Sequence, residues 1–185
     1  MYTENYKGVW INKGYLNVCK CNLFFLHNLS IFNSNELNVS YLLQEGTMNL
    51  TDLNFECECT NLKVLKSQKI SGKGVFCQNG NLEAKTNELE ISVDTFIQKN
   101  TLQKPTQTKA QKATFKCKYL ENGIKCDFLI DNLTILEGDF LFKNDGNLIS
   151  NYFDIKRDFI NNGKVSVDEF HGKGNFENNK QFLIN

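Results

Sequence analysis

A glycine-flanked stretch that recurs along the chain limits the fold more than any other feature of the sequence. It runs from Ile70 to Leu82, returns from Leu136 to Leu148, and is echoed from Phe170 to Asn179. Each copy has an apolar residue, a glycine two positions later, alternating apolar side chains, and then a turn rich in Asn, Asp and Gly. Asn-Gly and Asp-Gly supply the positive φ that tight hairpin turns need, so each copy predicts a β-hairpin. The structural turn residues expected in these copies are Gly72, Gly74, Gly80, Gly138, Gly146, Gly172 and Gly174.

Alternation of apolar and polar residues extends this prediction to most of the chain. Leu37, Val39 and Tyr41 alternate with polar residues, and a similar pattern recurs in residues 88–93 and 124–130. Many short strands separated by turn signals favour an all-β domain over βαβ units. The copies of the recurring stretch begin 66 and then 34 residues apart, which indicates a repeated hairpin design and not a fixed period. We therefore expect an all-β fold with little or no helix: an antiparallel meander of serial hairpins forming a sheet, an open jellyroll or a sandwich.

Residues 98–112 interrupt the alternation. This segment is polar, holds the single proline, Pro105, and carries four lysines without an acidic residue. It is expected to be an exposed loop, and the alternative is a basic face for an anionic surface. The expected organisation is an N-terminal lobe of residues 1–97, the loop of residues 98–112 and a C-terminal lobe of residues 113–185, within one continuous domain.

Composition excludes several classes of protein. With 41% hydrophobic and 12% aromatic residues, the chain can form a packed core and is not wholly disordered. Its formal net charge of zero disfavours nucleic acid as a partner, because phosphate binding needs surplus clustered Lys and Arg. An odd number of cysteines (seven), with no visible secretion signal and no membrane-spanning segment, favours free thiols in the cytoplasm. The alternative location is the cell envelope or periplasm, if a signal was removed.

Residue types that carry chemistry are present, but not in patterns that define a site. Two Cys-x-Cys pairs, Cys19/Cys21 and Cys57/Cys59, suggest zinc, yet on an extended strand their side chains would be about 6–7 Å apart, which favours core packing. The histidines His27 and His171 are not placed beside a thiol by any spacing. Gly72-Lys73-Gly74 lacks the continuation of a phosphate-binding loop. We therefore predict no catalytic, cofactor-binding or metal-binding residue, no cofactor and no enzymatic activity.

Three stretches resemble membrane-occupation-and-recognition-nexus (MORN) repeats, which are β-hairpins of the form Tyr-x-Gly-x-Trp-x-x-Gly followed by a Gly-x-Gly step. They are residues 6–14, residues 162–176 and, more loosely, residues 72–81. The resemblance covers about a third of the chain and lacks the MORN period of roughly 23 residues. It implies a cytoplasmic scaffold that binds proteins or lies near membranes, without catalysis.

Residues 70–84 and 136–150 also resemble strands of the OstA-like β-jellyroll of bacterial lipopolysaccharide transport. In that family, strands of the form Leu-x-Gly-x-Val-x-Phe are stacked around an apolar interior. This second resemblance implies a protein that carries lipid or another hydrophobic ligand.

Together these observations predict a non-enzymatic structural or interaction protein: a β-scaffold subunit. Edge strands carry unpaired backbone groups, so binding of protein partners or self-association through these edges is the expected mode. The alternative is a carrier of lipid or a hydrophobic ligand, with contact to a membrane or lipid.

Overall fold

The computed structural model describes residues 6–100, 106–136 and 141–185. These residues form 17 strands and no helix, so the described part holds no helix long and apolar enough to cross a membrane. The strands are β1 (Tyr6–Asn12), β2 (Tyr15–Asn28), β3 (Ile31–Gln44), β4 (Thr47–Asn49), β5 (Asp52–Asn61), β6 (Val64–Ser67), β7 (Lys69–Gln78), β8 (Asn81–Ala84), β9 (Glu88–Gln98), β10 (Thr106–Asn122), β11 (Cys126–Ile135), β12 (Phe142–Asn144), β13 (Asn147–Ile155), β14 (Phe159–Asn161), β15 (Lys164–Gly172), β16 (Phe176–Asn178) and β17 (Gln181–Ile184).

Strand pairing among these residues is parallel throughout and joins all the strands into one sheet. Leu26 of β2 lies beside Leu42 of β3, and Leu53 of β5 lies beside Ile70 of β7. In the regular part of the chain, residues 16 or 17 positions apart are therefore neighbours, as when one coil of chain is stacked on the next. This architecture is a β-solenoid, in which each coil contacts chiefly the coils before and after it.

The predicted antiparallel meander of hairpins, in any of its sheet, jellyroll or sandwich forms, is therefore wrong, whereas the all-β prediction is confirmed. The reason lies in the turns. Type I′ hairpin turns need positive φ at both central residues, but among the described residues only Lys125 and Gly174 have positive φ. The other Asn- and Gly-rich turns are corners at which the chain bends onto the next face of the same coil and continues.

One regular coil, residues 52–68, shows how the corners arise. Its side chains alternate between half-buried and buried over residues 52–55 and again over residues 58–67. Between these segments Glu56, Cys57 and Glu58 are all exposed, and the register against β3 shifts by one residue. A second corner, at residues 62–63, separates β5 from β6. Each regular coil thus has three short straight segments, with inward side chains at every second position of each segment.

The inward side chains form stacked columns that fill the interior. Phenylalanine dominates the C-terminal two thirds of the core, where Phe76 stacks on Phe96 with ring centroids 5.4 Å apart and Phe142 stacks on Phe159 at 5.0 Å. Leucine, isoleucine and methionine occupy equivalent positions in earlier coils, as at Leu26 and Met48, both fully buried. Full burial of each such side chain contributes about 1.5–3 kcal/mol relative to exposure, so the stacked interior is the main source of stability.

One buried column consists of side-chain amides instead of apolar groups. Successive pairings place ten Asn and Gln residues directly above one another: Asn12, Asn28, Gln44, Asn61, Gln78, Gln98, Asn122, Asn144, Asn161 and Asn178. Amide-to-amide hydrogen bonds join several members, including Asn28 Nδ2 to Gln44 Oε1 at 2.7 Å and Asn144 Nδ2 to Asn161 Oδ1 at 2.8 Å. We call this column the amide ladder. It satisfies polar groups that would otherwise be buried without partners.

The middle of the chain has longer coils. Gln98, which ends β9, and Asn122, which ends β10, are ladder neighbours although they are 24 residues apart. Of the predicted loop of residues 98–112, residues 106–112 form the start of β10, while residues 101–105 lie outside the described part. β10 pairs with β8 and β9 on one side and with β11 and β12 on the other, so the parallel sheet continues across the expected boundary between the lobes.

Candidate interaction surfaces

The glycines predicted to form turns lie at different places in the coils. Gly80 and Gly146 lie at corners, each two residues after a ladder amide, whereas Gly72 and Gly74 lie within β7. Gly72 and Gly74 flank the register shift against β9, and a Cβ at Gly74 would be 1.7 Å from the carbonyl oxygen of Cys57. Gly172 ends β15, Gly174 follows it with a φ of +118°, and Gly138 is outside the described residues.

The cysteine pairs do not point their sulfurs to one side. Cys21 and Cys59 are buried in the core, whereas Cys19 and Cys57 are exposed at corners, because each corner interrupts the alternation. Burial raises the pKa of the Cys59 thiol well above its usual range and raises that of Cys117 to about 12. These buried thiols therefore act as small apolar core groups, as expected for cysteines that pack in the core.

The histidines lie on the outer surface, far apart along the solenoid. His27 Nε2 is 2.6 Å from Glu45 Oε2 of the next coil, and His171 Nε2 is 2.6 Å from Glu169 Oε1. Within the described residues, no group of three or more His, Cys, Asp and Glu side chains is arranged to hold a metal ion. The structure thus does not bring the reactive residue types together.

The most distinctive surface lies on the outer side of β1–β3. Val9 and Ile11 are 67% and 55% exposed, and their register places Ile11 beside His27 and Val9 beside Phe25. On the same surface the exposed rings of Phe24 and Tyr41 meet edge-to-face at 5.6 Å. We call these residues the apolar side patch: Val9, Ile11, Phe24, Phe25, Tyr41 and Leu43. Contiguous exposed apolar side chains of this kind are typical of interaction sites.

Acidic residues border the apolar side patch on the β5 side. Glu58 lies beside Tyr41, and Glu56 accepts a hydrogen bond from Ser40 Oγ at 2.8 Å. Neither carboxylate is within ion-pair distance of a lysine or arginine in the described part of the chain. The patch therefore combines apolar contact area with negative charge that no described cation neutralises.

The two ends of the solenoid show a second kind of surface: the edges of the core columns. In the first described coil, Trp10, Leu16 and Val18 belong to inward columns but remain partly exposed. In the last coil, Phe176, Phe182 and Ile184 belong to the same type of column, and Phe176 and Ile184 are 47% and 62% exposed. Rings of the last coil still contact one another, with Phe176 and Phe182 centroids 5.0 Å apart.

Sequence reasoning missed the amide ladder and the apolar side patch. Residues 12, 28, 44, 61 and 78 carry Asn or Gln at intervals of 16 or 17, which is a detectable signal for the ladder. The patch has no such signal, because Val9 and Ile11 become its neighbours only through the parallel stacking of β1 on β2.

Comparison of the chain with models of protein families, with curated proteins and with solved structures found no match. The resemblances to MORN repeats and to the OstA-like proteins accordingly stay predictions, and the function of the chain is argued from its geometry.

Proposed function

We propose that the chain is a non-enzymatic structural protein that binds a protein partner through the apolar side patch. The observation that carries this proposal is the cluster of exposed Val9, Ile11, Phe24 and Tyr41 side chains on one outer face. Aromatic and aliphatic side chains that gather at the surface supply the desolvated centre of a protein–protein interface.

The scaffold supports the patch by holding it in place. Buried columns, with Leu26 and Leu42 directly behind the patch, and the amide ladder fix the backbone of β2 and β3. A surface that is already ordered loses little conformational entropy when a partner binds, which favours affinity.

Charge indicates the chemistry of the partner. Glu56 and Glu58 border the patch without a described cationic neighbour, so a partner segment with apolar side chains flanked by Lys or Arg is complementary to it. The carrier function considered from the sequence needs an apolar groove, whereas the inward columns of this solenoid pack against one another. We therefore propose binding on the outer surface.

A site-specific crosslinking experiment tests this function. A photoreactive phenylalanine analogue replaces Tyr41 in one variant and Ile149 in a control variant, since Ile149 is 53% exposed on a distant coil. After illumination in the cells that make the protein, we expect a discrete protein adduct from position 41 and none from position 149. The adduct should disappear when Ile11→Ser is added, because that change removes exposed apolar surface without touching the core.

Two results would overturn the proposal. One is an absence of protein adducts at position 41. The other is the same set of adducts at both positions, which would show that crosslinking follows exposure and not a specific surface.

A further inference from the structure

We propose that copies of this chain stack end to end, with the last coil of one copy seated in register on the first described coil of the next. This inference is independent of the apolar side patch, which lies on the side of the solenoid. Its partner is a second copy of the chain, and its surface is the pair of end coils.

The two end coils carry matching core columns. Successive pairings place Trp10 and Phe176 in one column and Asn12 and Asn178 in the amide ladder. In both coils an aromatic residue stands two positions before the amide, and apolar residues stand four and six positions after it. The apolar residues are Leu16 and Val18 in the first coil, and Phe182 and Ile184 in the last. A copy stacked in register would therefore continue these core columns across the junction.

The amide ladder is directional, and its two ends are complementary. Asn144 Nδ2 donates both to the carbonyl oxygen of Gly146 at 3.3 Å and to Asn161 Oδ1 at 2.8 Å. Asn178 Nδ2 donates to the carbonyl oxygen of Lys180 at 3.2 Å, the equivalent of the first of these bonds, but within the described residues it has no next amide. The last ladder residue therefore presents an unused donor to a following coil.

The first ladder residue presents the corresponding acceptor. Asn161 Oδ1 accepts from the Gly163 backbone N–H at 3.1 Å and also from Asn144 Nδ2. Asn12 Oδ1 accepts from the Gly14 backbone N–H at 3.3 Å, and no amide of an earlier coil lies among the described residues. Stacking would place Asn178 Nδ2 of one copy against Asn12 Oδ1 of the next, extending the ladder by one bond of the same polarity.

Backbone direction selects the same arrangement. β16 and β17 form one outer edge of the parallel sheet, and β1 with the first residues of β2 forms the other. A head-to-tail contact keeps all strands parallel, whereas a two-fold contact between like ends would pair strands antiparallel and oppose the ladder dipoles. Unpaired strand edges favour such addition, and a head-to-tail contact without closure produces open chains of copies.

Sedimentation velocity of the full chain over a range of concentrations tests this arrangement. We expect species that grow in steps of one 21.3 kDa chain and become more elongated as concentration rises. Ile184→Lys should abolish this growth, because it places a charge on the end surface at a residue that is 62% exposed and therefore tolerates substitution. Ile149→Lys is the matched control, since it adds the same charge at a 53% exposed position on the side, and should assemble normally.

A mixing experiment tests the head-to-tail geometry. Val18→Lys blocks the first coil and leaves the last coil open, whereas Ile184→Lys does the reverse, with circular dichroism confirming that each variant folds. Neither variant should associate alone, and an equimolar mixture should give dimers and no larger species.

Three outcomes would overturn the inference. They are a monomer at every concentration, an oligomer that Ile184→Lys leaves intact, and a closed dimer that does not grow with concentration.

Discussion

The side-chain amide of Asn122 donates a hydrogen bond to Asn144 Oδ1 at 2.7 Å, although 22 residues separate them in the chain. Both side chains are fully buried, and Asn122 Nδ2 also donates to the backbone carbonyl of Asn147. Asn122→Leu would remove these bonds and leave buried acceptors without donors, so we expect the free energy of unfolding to fall by about 2–3 kcal/mol. Urea denaturation measures this change. Asn151→Leu, at an exposed position, is the control and should change stability by less than about 0.5 kcal/mol; equal effects at both positions would argue against the ladder.

Arg157 connects coils that a regular stack would join without help. Its side chain is buried, and its guanidinium donates to the backbone carbonyls of Leu136, at 3.0 Å, and of Lys118, at 3.2 Å, and also to that of Cys117. Arg157→Met should lower the free energy of unfolding by about 3 kcal/mol, because it leaves these carbonyls without their donor.

Arg157→Lys distinguishes geometry from charge at this position. An ammonium group cannot reproduce the planar fork of donors, so we expect the lysine variant to recover less than half of the lost stability. Full recovery would show that the positive charge matters and the fork does not. Chemical denaturation of the three proteins side by side gives the answer.

The corner at Gly46 leaves no room for a side chain. A Cβ at Gly46 would be 2.0 Å from the carbonyl oxygen of Ser30 in the preceding coil, whereas a Cβ at Gly14 would meet nothing within 4 Å. Gly46→Ala must therefore push the two coils apart and should cost about 1–3 kcal/mol of stability. Gly14→Ala should be neutral. Thermal unfolding of the two variants checks the contrast, and equal midpoints would contradict this stacking.

Cysteine reactivity reports the position of the corners. Cys19 and Cys57 are exposed, whereas their near neighbours Cys21 and Cys59 are buried. Burial also raises the pKa of the Cys21 and Cys59 thiols, which lowers the fraction of reactive thiolate. Brief alkylation of the native protein followed by mass spectrometry should therefore label Cys19 and Cys57 first, and Cys21 and Cys59 only after denaturation. Equal labelling within each pair would show that both sulfurs point to the same side.

The sequence revealed the class of secondary structure but not how the strands pair. Alternation at Leu37, Val39 and Tyr41 correctly indicated strands, because the period of two depends only on local backbone geometry. The direction of pairing depends on φ at the corners and on contacts between residues 16 or more positions apart. An Asn-Gly or Asp-Gly turn is compatible with both a hairpin and a solenoid corner, so local sequence does not distinguish them.

The coil length was obscured by the irregular middle of the chain. The spacing of 34 residues between the last two copies of the recurring stretch is twice the regular coil of 17, as in the pairing of Asn144 with Asn161. The longer spacing of 66 residues crosses the extended coils between β7 and β11, so it matches no multiple of 17. The recurrence of Asn and Gln at residues 12, 28, 44, 61 and 78 would have given the period directly.

The candidate surfaces were still harder to predict. The Cys-x-Cys pairs appeared to share one face because a period of two was assumed to continue through Glu56–Glu58, where the strand turns a corner. The apolar side patch combines residues of three coils, and the end surfaces depend on which columns Trp10 and Phe176 occupy. These relationships appear only when the register is known.

The distance between spin labels along one column tests the parallel stack most directly. Ile31, Gln107 and Lys164 occupy the same outward column, four coils and seven coils apart. At about 4.8 Å per step, pulsed electron paramagnetic resonance should give roughly 19 Å for labels at residues 31 and 107, and roughly 34 Å for residues 31 and 164. The labels are attached to introduced cysteines after Cys19, Cys57 and Cys77 are replaced by serine. Distances that increase in this order and proportion support the solenoid; a separation of residues 31 and 164 no longer than that of 31 and 107 would contradict it.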